Sequence, residues 1–148
     1  MDEALKLENQ LCFPLYACAR RVIGRYTPYL KPLNLTYTQY IVLLVLWEEK
    51  EATVRELCRK LYLDSGTLTP LLKKMESQGY VIRRRNADDE RVVTVRLTDA
   101  GEALKERARE IPGRIAGCIQ LSEQEILSLY GILYKVLDQI GEEEEKEK

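Results

Sequence analysis

The chain contains no histidine in 148 residues. That absence removes a histidine general base and a Ser-His-Asp triad, and with no CxxC pair among Cys12, Cys18, Cys58 and Cys118 it leaves no zinc site. No metal, no cofactor and no enzymatic activity are expected. No apolar run approaches the roughly 20 residues of a membrane span. The opening "MDEALKLENQ" is acidic and polar rather than a secretory signal. A cytoplasmic protein is expected, with its cysteines reduced. Phenylalanine is also scarce, one against nine tyrosines, which weakly favours a protein that uses hydroxyls.

The composition, 45% hydrophobic and 32% charged, suits one soluble domain. The formal net charge of −1 argues against nucleic acid only as an average. The tail "GEEEEKEK" holds five Glu against two Lys, so the remaining chain is at +2. Residues 73 to 96 hold seven Lys/Arg against four Asp/Glu, a modest basic patch that composition alone does not separate from an ordinary solvated surface.

Hydrophobic spacing predicts a helix over 5–30, with Leu5, Leu11, Leu15, Tyr16, Val22 and Ile23 on one face. Pro28 and Pro32 are expected to break it. "TYTQ", "TVRE" and "SEQE" read as capping boxes, and Asp64 and Thr98 as N-caps. These signals predict helices over 36–49, 53–61, 64–78, 98–116 and 122–140. "YVIRRR" and "RVVTVRL", joined by "NADDE", read as a β-hairpin.

The fold predicted is mainly α with a small β-hairpin, a winged helix-turn-helix flanked by N- and C-terminal helices. It forms a single domain over 1–148. Its DNA-binding lobe spans 33–97, its dimerisation helices 1–32 and 98–140, and its acidic tail 141–148. The stripe at 126, 129, 130, 133, 134, 137 and 140 is too apolar for a small monomer to cover, so a homodimer is expected.

"TYTQYIVLLVLWE", "LYLDSGTLTPLLKKMESQGYVIRRR" and "DDERVVTVRLTDAG" resemble the MarR family of bacterial transcription regulators. With "LENQLCFPLY" the chain resembles the organic-hydroperoxide-sensing (OhrR) branch, over residues 7 to about 140. The resemblance implies a dimeric repressor that binds an inverted-repeat operator in double-stranded DNA. In the recognition helix, Ser65, Thr67 and Thr69 are small enough to approach base edges and phosphates, and Lys73 and Lys74 supply backbone charge. The same residues also read as capping groups and solubility charges. Arg91 resembles the arginine that reaches the minor groove in this family, with Asp89 orienting it.

Cys12 lies among Leu11, Phe13 and Leu15, where a cysteine is by default a small core residue. Pro14 points the other way, because proline is tolerated in a helix's first turn, where unpaired N–H groups favour a thiolate. No Lys or Arg lies within four residues. The resemblance implies that Tyr26 and Tyr37 donate to this sulfur across the dimer, with Tyr16 lining the same pocket. It also implies a resolving role for Cys118, with a low-molecular-weight thiol as the other fate of oxidised Cys12. Cys18 and Cys58 read as inert fillers.

The effector expected is an organic hydroperoxide. Two rivals stand beside this reading: a regulator gated by a small aromatic ligand with Cys12 structural, and a thiol peroxidase, for which no arginine or threonine motif accompanies Cys12.

Overall fold

A computed structural model of the chain describes the backbone of residues 2–146 and the side chains of residues 2–141. The charged side chains of the acidic tail thus lie outside the described residues. Two compact units divide at Pro112 and Gly113.

The first unit opens with two short 3-10 turns, Glu3–Leu5 and Leu7–Asn9, before helix α1, Cys12–Leu30. The predicted start at residue 5 is therefore seven residues early. The reason is Pro14, whose ring would collide with the carbonyl four residues back, on Gln10, so a helix through that stretch is blocked. Pro28, in contrast, sits inside α1 and does not end it. Pro70 is likewise inside a helix. In both cases the residue four positions earlier is glycine, Gly24 or Gly66, whose backbone yields more readily. The chain turns instead at Lys31–Leu33, with Asn34 left-handed at φ 55°.

Helix α2, Tyr37–Glu49, buries Tyr40, Val42, Leu43, Leu46 and Trp47 around much of its circumference, as expected of the central helix of a small lobe. Helices α3, Val54–Leu61, and α4, Ser65–Ser77, follow as a helix-turn-helix. Strand β1, Glu51–Thr53, was not predicted; β2, Val81–Arg85, and β3, Val93–Leu97, form the expected hairpin. The sheet order is β1-β3-β2, all antiparallel, with Ala52 opposite Val95 and Arg85 opposite Val93. Three residues are too few to show an alternating pattern, so β1 is made by β3 rather than announced by its own sequence.

The predicted helix 98–116 is two helices, α5, Asp99–Ala108, and α6, Ile111–Ala116. Pro112 repeats the logic of Pro14: its ring opposes the carbonyl of Ala108, where α5 ends. In the second unit, α7, Glu123–Lys146, starts on the predicted Ser122 capping box, with Ser122 N–H donating to Glu125 at 2.8 Å and Glu125 N–H to Ser122 Oγ at 3.2 Å. Ile126, Leu129, Tyr130, Tyr134, Leu137 and Ile140 are all exposed on it in the single chain. Among the described residues no helix is long and apolar enough to cross a membrane.

Two hydrogen bonds tie the start of α5 to α2 and to the residue before β2. The Trp47 indole donates to the Gly101 carbonyl at 3.0 Å, and Thr98, the N-cap of α5, donates its N–H to the Tyr80 carbonyl at 3.1 Å. Gly101 lies so close beneath Tyr80 that a Cβ would stand 2.2 Å from that carbonyl oxygen. Gly101→Ala should therefore cost about 3 kcal/mol, the upper range for overpacking, read as a lower urea midpoint at unchanged slope. An unchanged midpoint would mean that the start of α5 shifts freely.

Candidate nucleic-acid interface and thiol site

Helix α4 starts where it does because Asp64 accepts the Thr67 N–H at 2.7 Å. Leu68, Leu72 and Met75, spaced four and three apart, are fully buried. That fixes the rotation of the helix, and Ser65, Thr67, Lys73 and Lys74 are turned out to solvent, with Thr69 half-buried at the margin. The five predicted contacts on this helix thus share its outer part, with hydroxyls at the N-terminal end and lysines two turns on.

The wing presents Arg91 with its side chain 91% exposed. Its guanidinium meets Asp89 through Nε–Oδ1 at 3.1 Å and Nη2–Oδ2 at 3.3 Å, and its own N–H also donates to Oδ1. Those bonds from Arg91 hold the Asp89 carboxyl below its ordinary pKa. Asn86 Oδ1 accepts from the N–H groups of Asp88 and Asp89, and the Arg85 guanidinium donates to the Glu90 carbonyl. The tip is an internally bonded turn that aims one arginine outward.

Sequence reasoning missed the pair that joins helix to wing. Glu76 of α4 accepts the Arg83 N–H of β2 at 2.9 Å and its guanidinium at 3.3 Å. The backbone bond first, and the side-chain bond after it, lower the Glu76 pKa. Two charged residues seven apart across a glycine turn were the available signal.

The thiol site is distributed along α1. Cys12 is the helix's first residue and is exposed; no side chain caps this end, and Pro14 has no N–H to offer or to satisfy. Its neighbours Leu11, Phe13 and Leu15 are exposed as well, Leu11 at 86%, so within one chain Cys12 is no core residue. Tyr16, one turn on, is exposed and carries the Arg20 guanidinium 5.7 Å over its ring. Cys18 is also exposed, which corrects its reading as a filler within one chain. Cys58 is partly covered, and burial, then Asp64, pushes its thiol pKa up.

Tyr26 and Tyr37 are brought together far from Cys12, with ring centroids 4.8 Å apart in an edge arrangement. A third tyrosine, Tyr40, which sequence reasoning passed over, stands 5.8 Å from Tyr26 and 6.2 Å from Tyr37. Burial raises the phenol pKa of all three; Tyr37 adds to this at Tyr26, and both neighbours add at Tyr40. Beside this cluster a cleft of about 340 Å³ opens between α1, α2 and α4, with Ile23 and Leu30 as apolar lining and Lys31 and Lys74 among its polar groups. In the second unit, Cys118 follows α6, exposed, its thiol 3.5 Å from the Arg114 carbonyl.

Residues 25–108 match the family model described as transcriptional regulator SarA/Rot. The organic hydroperoxide resistance transcriptional regulator of Bacillus subtilis is 50% identical over 134 residues, 90% of this chain and 91% of its own. The reduced, DNA-bound structure of AbfR, a Staphylococcus epidermidis protein, is 37% identical, with a TM-score of 0.77 over 94% of this chain and 98% of the other. A structure described as disulfide-formed AbfR is 38% identical, with a TM-score of 0.66 over 91% and 95%.

The tyrosine cluster sets an alkaline limit. Because the folded-state phenol values are raised, the stability linked to them is whole below the ordinary value of about 10 and is lost as pH climbs through the folded values. Ultraviolet titration should show a late-ionising tyrosine class that Tyr37→Phe diminishes, with thermal stability falling over the same range. A titration with every phenol ionising near 10 in the native protein would refute the clustering.

Proposed function

The chain belongs to the MarR/SarA family of winged-helix transcriptional regulators, and we propose that it is a homodimeric repressor that leaves its operator when an organic hydroperoxide oxidises Cys12. It is a DNA-binding regulator and not an enzyme. The observation that carries the redox reading is the position of Cys12, exposed at an uncapped helix start.

The chemistry is a two-electron displacement. The Cys12 thiolate attacks the terminal oxygen of the hydroperoxide, the O–O bond breaks, and the alkoxide leaves and takes up a proton as the alcohol. Cys12 becomes a sulfenic acid. Its apolar neighbours suit an organic peroxide better than hydrogen peroxide. Condensation with a second thiol then forms a disulfide and releases water.

A dimer makes this site whole. Tyr26 is fourteen residues beyond Cys12 on the same helix, about 21 Å at a rise of about 1.5 Å per residue. Phenols that hydrogen-bond this sulfur therefore come from a second copy. The exposed apolar face of α7 and the exposed Leu11 and Leu15 of the N-terminal segment are surface that a second copy would cover. The second thiol is the partner's Cys118, with a small cellular thiol as the competing fate. DNA binding uses Ser65, Thr67, Thr69, Lys73 and Lys74 in the major groove and Arg91, held by Asp89, in the minor groove.

The cleft beside Tyr37 supports a second reading, gating by a small aromatic ligand with Cys12 structural. Cys12→Ser separates the two. In a gel shift on the region upstream of its own gene, the variant should stay bound under an organic hydroperoxide that releases the wild type. Release of both would sink the thiol mechanism and favour the ligand.

On the same duplex, Arg91→Ala should cost about 1–3 kcal/mol of affinity, and Lys73→Ala should lower the salt slope by about one phosphate contact. Unchanged affinity for Arg91→Ala at physiological salt would remove the wing from the interface. Non-reducing electrophoresis of oxidised protein should show a covalent dimer that is absent in Cys12→Ser and in Cys118→Ser. A monomer carrying a mixed disulfide on Cys12 would assign resolution to a small thiol.

A further inference from the structure

Among the described residues three capping boxes start helices, and two of them close with glutamate, Glu56 and Glu125. The third, at the start of α2, closes with Gln39, which is 1% exposed. A capping box needs only an acceptor at that position, and a carboxylate serves. The amide brings a donor as well, and here the donor is used. Gln39 Oε1 accepts the Thr36 N–H at 3.0 Å, while Nε2 donates to Gln78 Oε1 at 3.0 Å. Gln78 Nε2 in turn donates to the Asn34 carbonyl at 3.0 Å.

These bonds close a ring: Asn34 and Thr36 at the α1–α2 corner, Gln39 in the core, Gln78 at the end of α4. Each member is placed at a junction. Gln78 is the C-cap residue of α4, its N–H on the Lys74 carbonyl at 2.9 Å. Asn34 holds the left-handed turn that ends the segment after α1. Thr36 directly precedes Tyr37, whose ring lies against Tyr26. The corner bearing the tyrosines is therefore bonded to the end of α4 twice, through the buried Gln39 and directly from Gln78 to Asn34.

We infer that Gln39 and Gln78 are positioning residues that transmit the state of the tyrosine corner to the recognition helix. The inference rests on the redox reading above and deepens it. When Cys12 is reduced, the tyrosines hold the corner, and the amide ring holds α4 in its DNA-bound attitude. When oxidation withdraws the hydrogen bonds to the sulfur, the corner shifts and the ring carries the shift to α4. An amide pair suits this task, since it is directional in both links and leaves no charge stranded in the core when it rearranges.

The test compares operator affinity before and after oxidation, on a duplex from the region upstream of the gene, by fluorescence anisotropy. Gln78→Met keeps the side-chain length and removes both links while leaving the α2 capping box intact. Gln39→Glu keeps the capping acceptor and removes the donor. The readout is the ratio of affinities in the reduced and hydroperoxide-treated states, with oxidation of Cys12 verified by mass spectrometry. In both variants this ratio should fall at least about fivefold below that of the wild type, within the usual range of coupling between sites. A purely structural role predicts otherwise: a lower melting temperature and equal loss of affinity in both states, with the ratio unchanged. That outcome overturns the inference and leaves the redox reading standing. A wild type that keeps its affinity with Cys12 oxidised overturns both.

Discussion

A proline ring in a helix crowds the carbonyl four residues before it, and two of this molecule's helix boundaries follow from that collision. Pro14 forbids a helix through Gln10, so α1 starts at Cys12 and the thiol falls in the first turn, among donors that no preceding turn satisfies. Pro112 ends α5 at Ala108 and starts a separate short helix toward Cys118. Of the proposed redox pair, Cys12 thus stands at a helix start that a proline sets, and Cys118 follows the short helix that Pro112 opens. The mid-helix prolines, Pro28 and Pro70, break nothing, which separates the mere presence of a proline from its steric consequence.

The DNA-facing half is built on a different constraint, the burial of one stripe. Leu68, Leu72 and Met75 have one stable orientation toward α2 and α3, and every outward residue of α4 inherits its direction from them. The Glu76–Arg83 pair then ties the helix to β2, and β2 carries the hairpin whose tip offers Arg91. Part of Arg83's guanidinium, its Nε, is buried with no bonding partner among the described residues, so the charge is held by Glu76 and not by solvent on that side. The spacing between the helix hydroxyls and the wing arginine, which any groove-reading mode requires, is set by this joint and by the sheet.

Legibility in the sequence followed the range of the interaction. Capping boxes at Thr36, Thr53 and Ser122 and the caps at Asp64 and Thr98 are local, and each helix start they announced is present. The hairpin was readable from its β-branched runs. Strand β1 was not, because a three-residue strand exists only by pairing with β3, far along the chain, as Ala52 does with Val95. The outer helices were readable as apolar but not in their burial, since the surface that covers Leu11 or Ile126 is not in one copy of the chain. In the proposed site, Cys12 was singled out by local chemistry and Arg91 by the family resemblance. Tyr40, Glu76, Arg83 and the second bond of Gln39, to Gln78, were missed because their partners are brought to them only by the folded lobe.

The tyrosine cluster shows why composition and chemistry agree. A phenol that hydrogen-bonds a thiolate must keep its proton, and a phenolate beside that sulfur would repel it. Burial pushes Tyr26, Tyr37 and Tyr40 in the required direction, and their mutual proximity adds to it at Tyr26 and Tyr40, because ionising one beside another places two negative charges in a half-dry corner. Phenylalanine would pack the same volume and supply no donor. The excess of tyrosine over phenylalanine, a weak signal when counted over the whole chain, gains its meaning here. Three rings share one corner, two of them are proposed to donate, and burial holds the proton on all three.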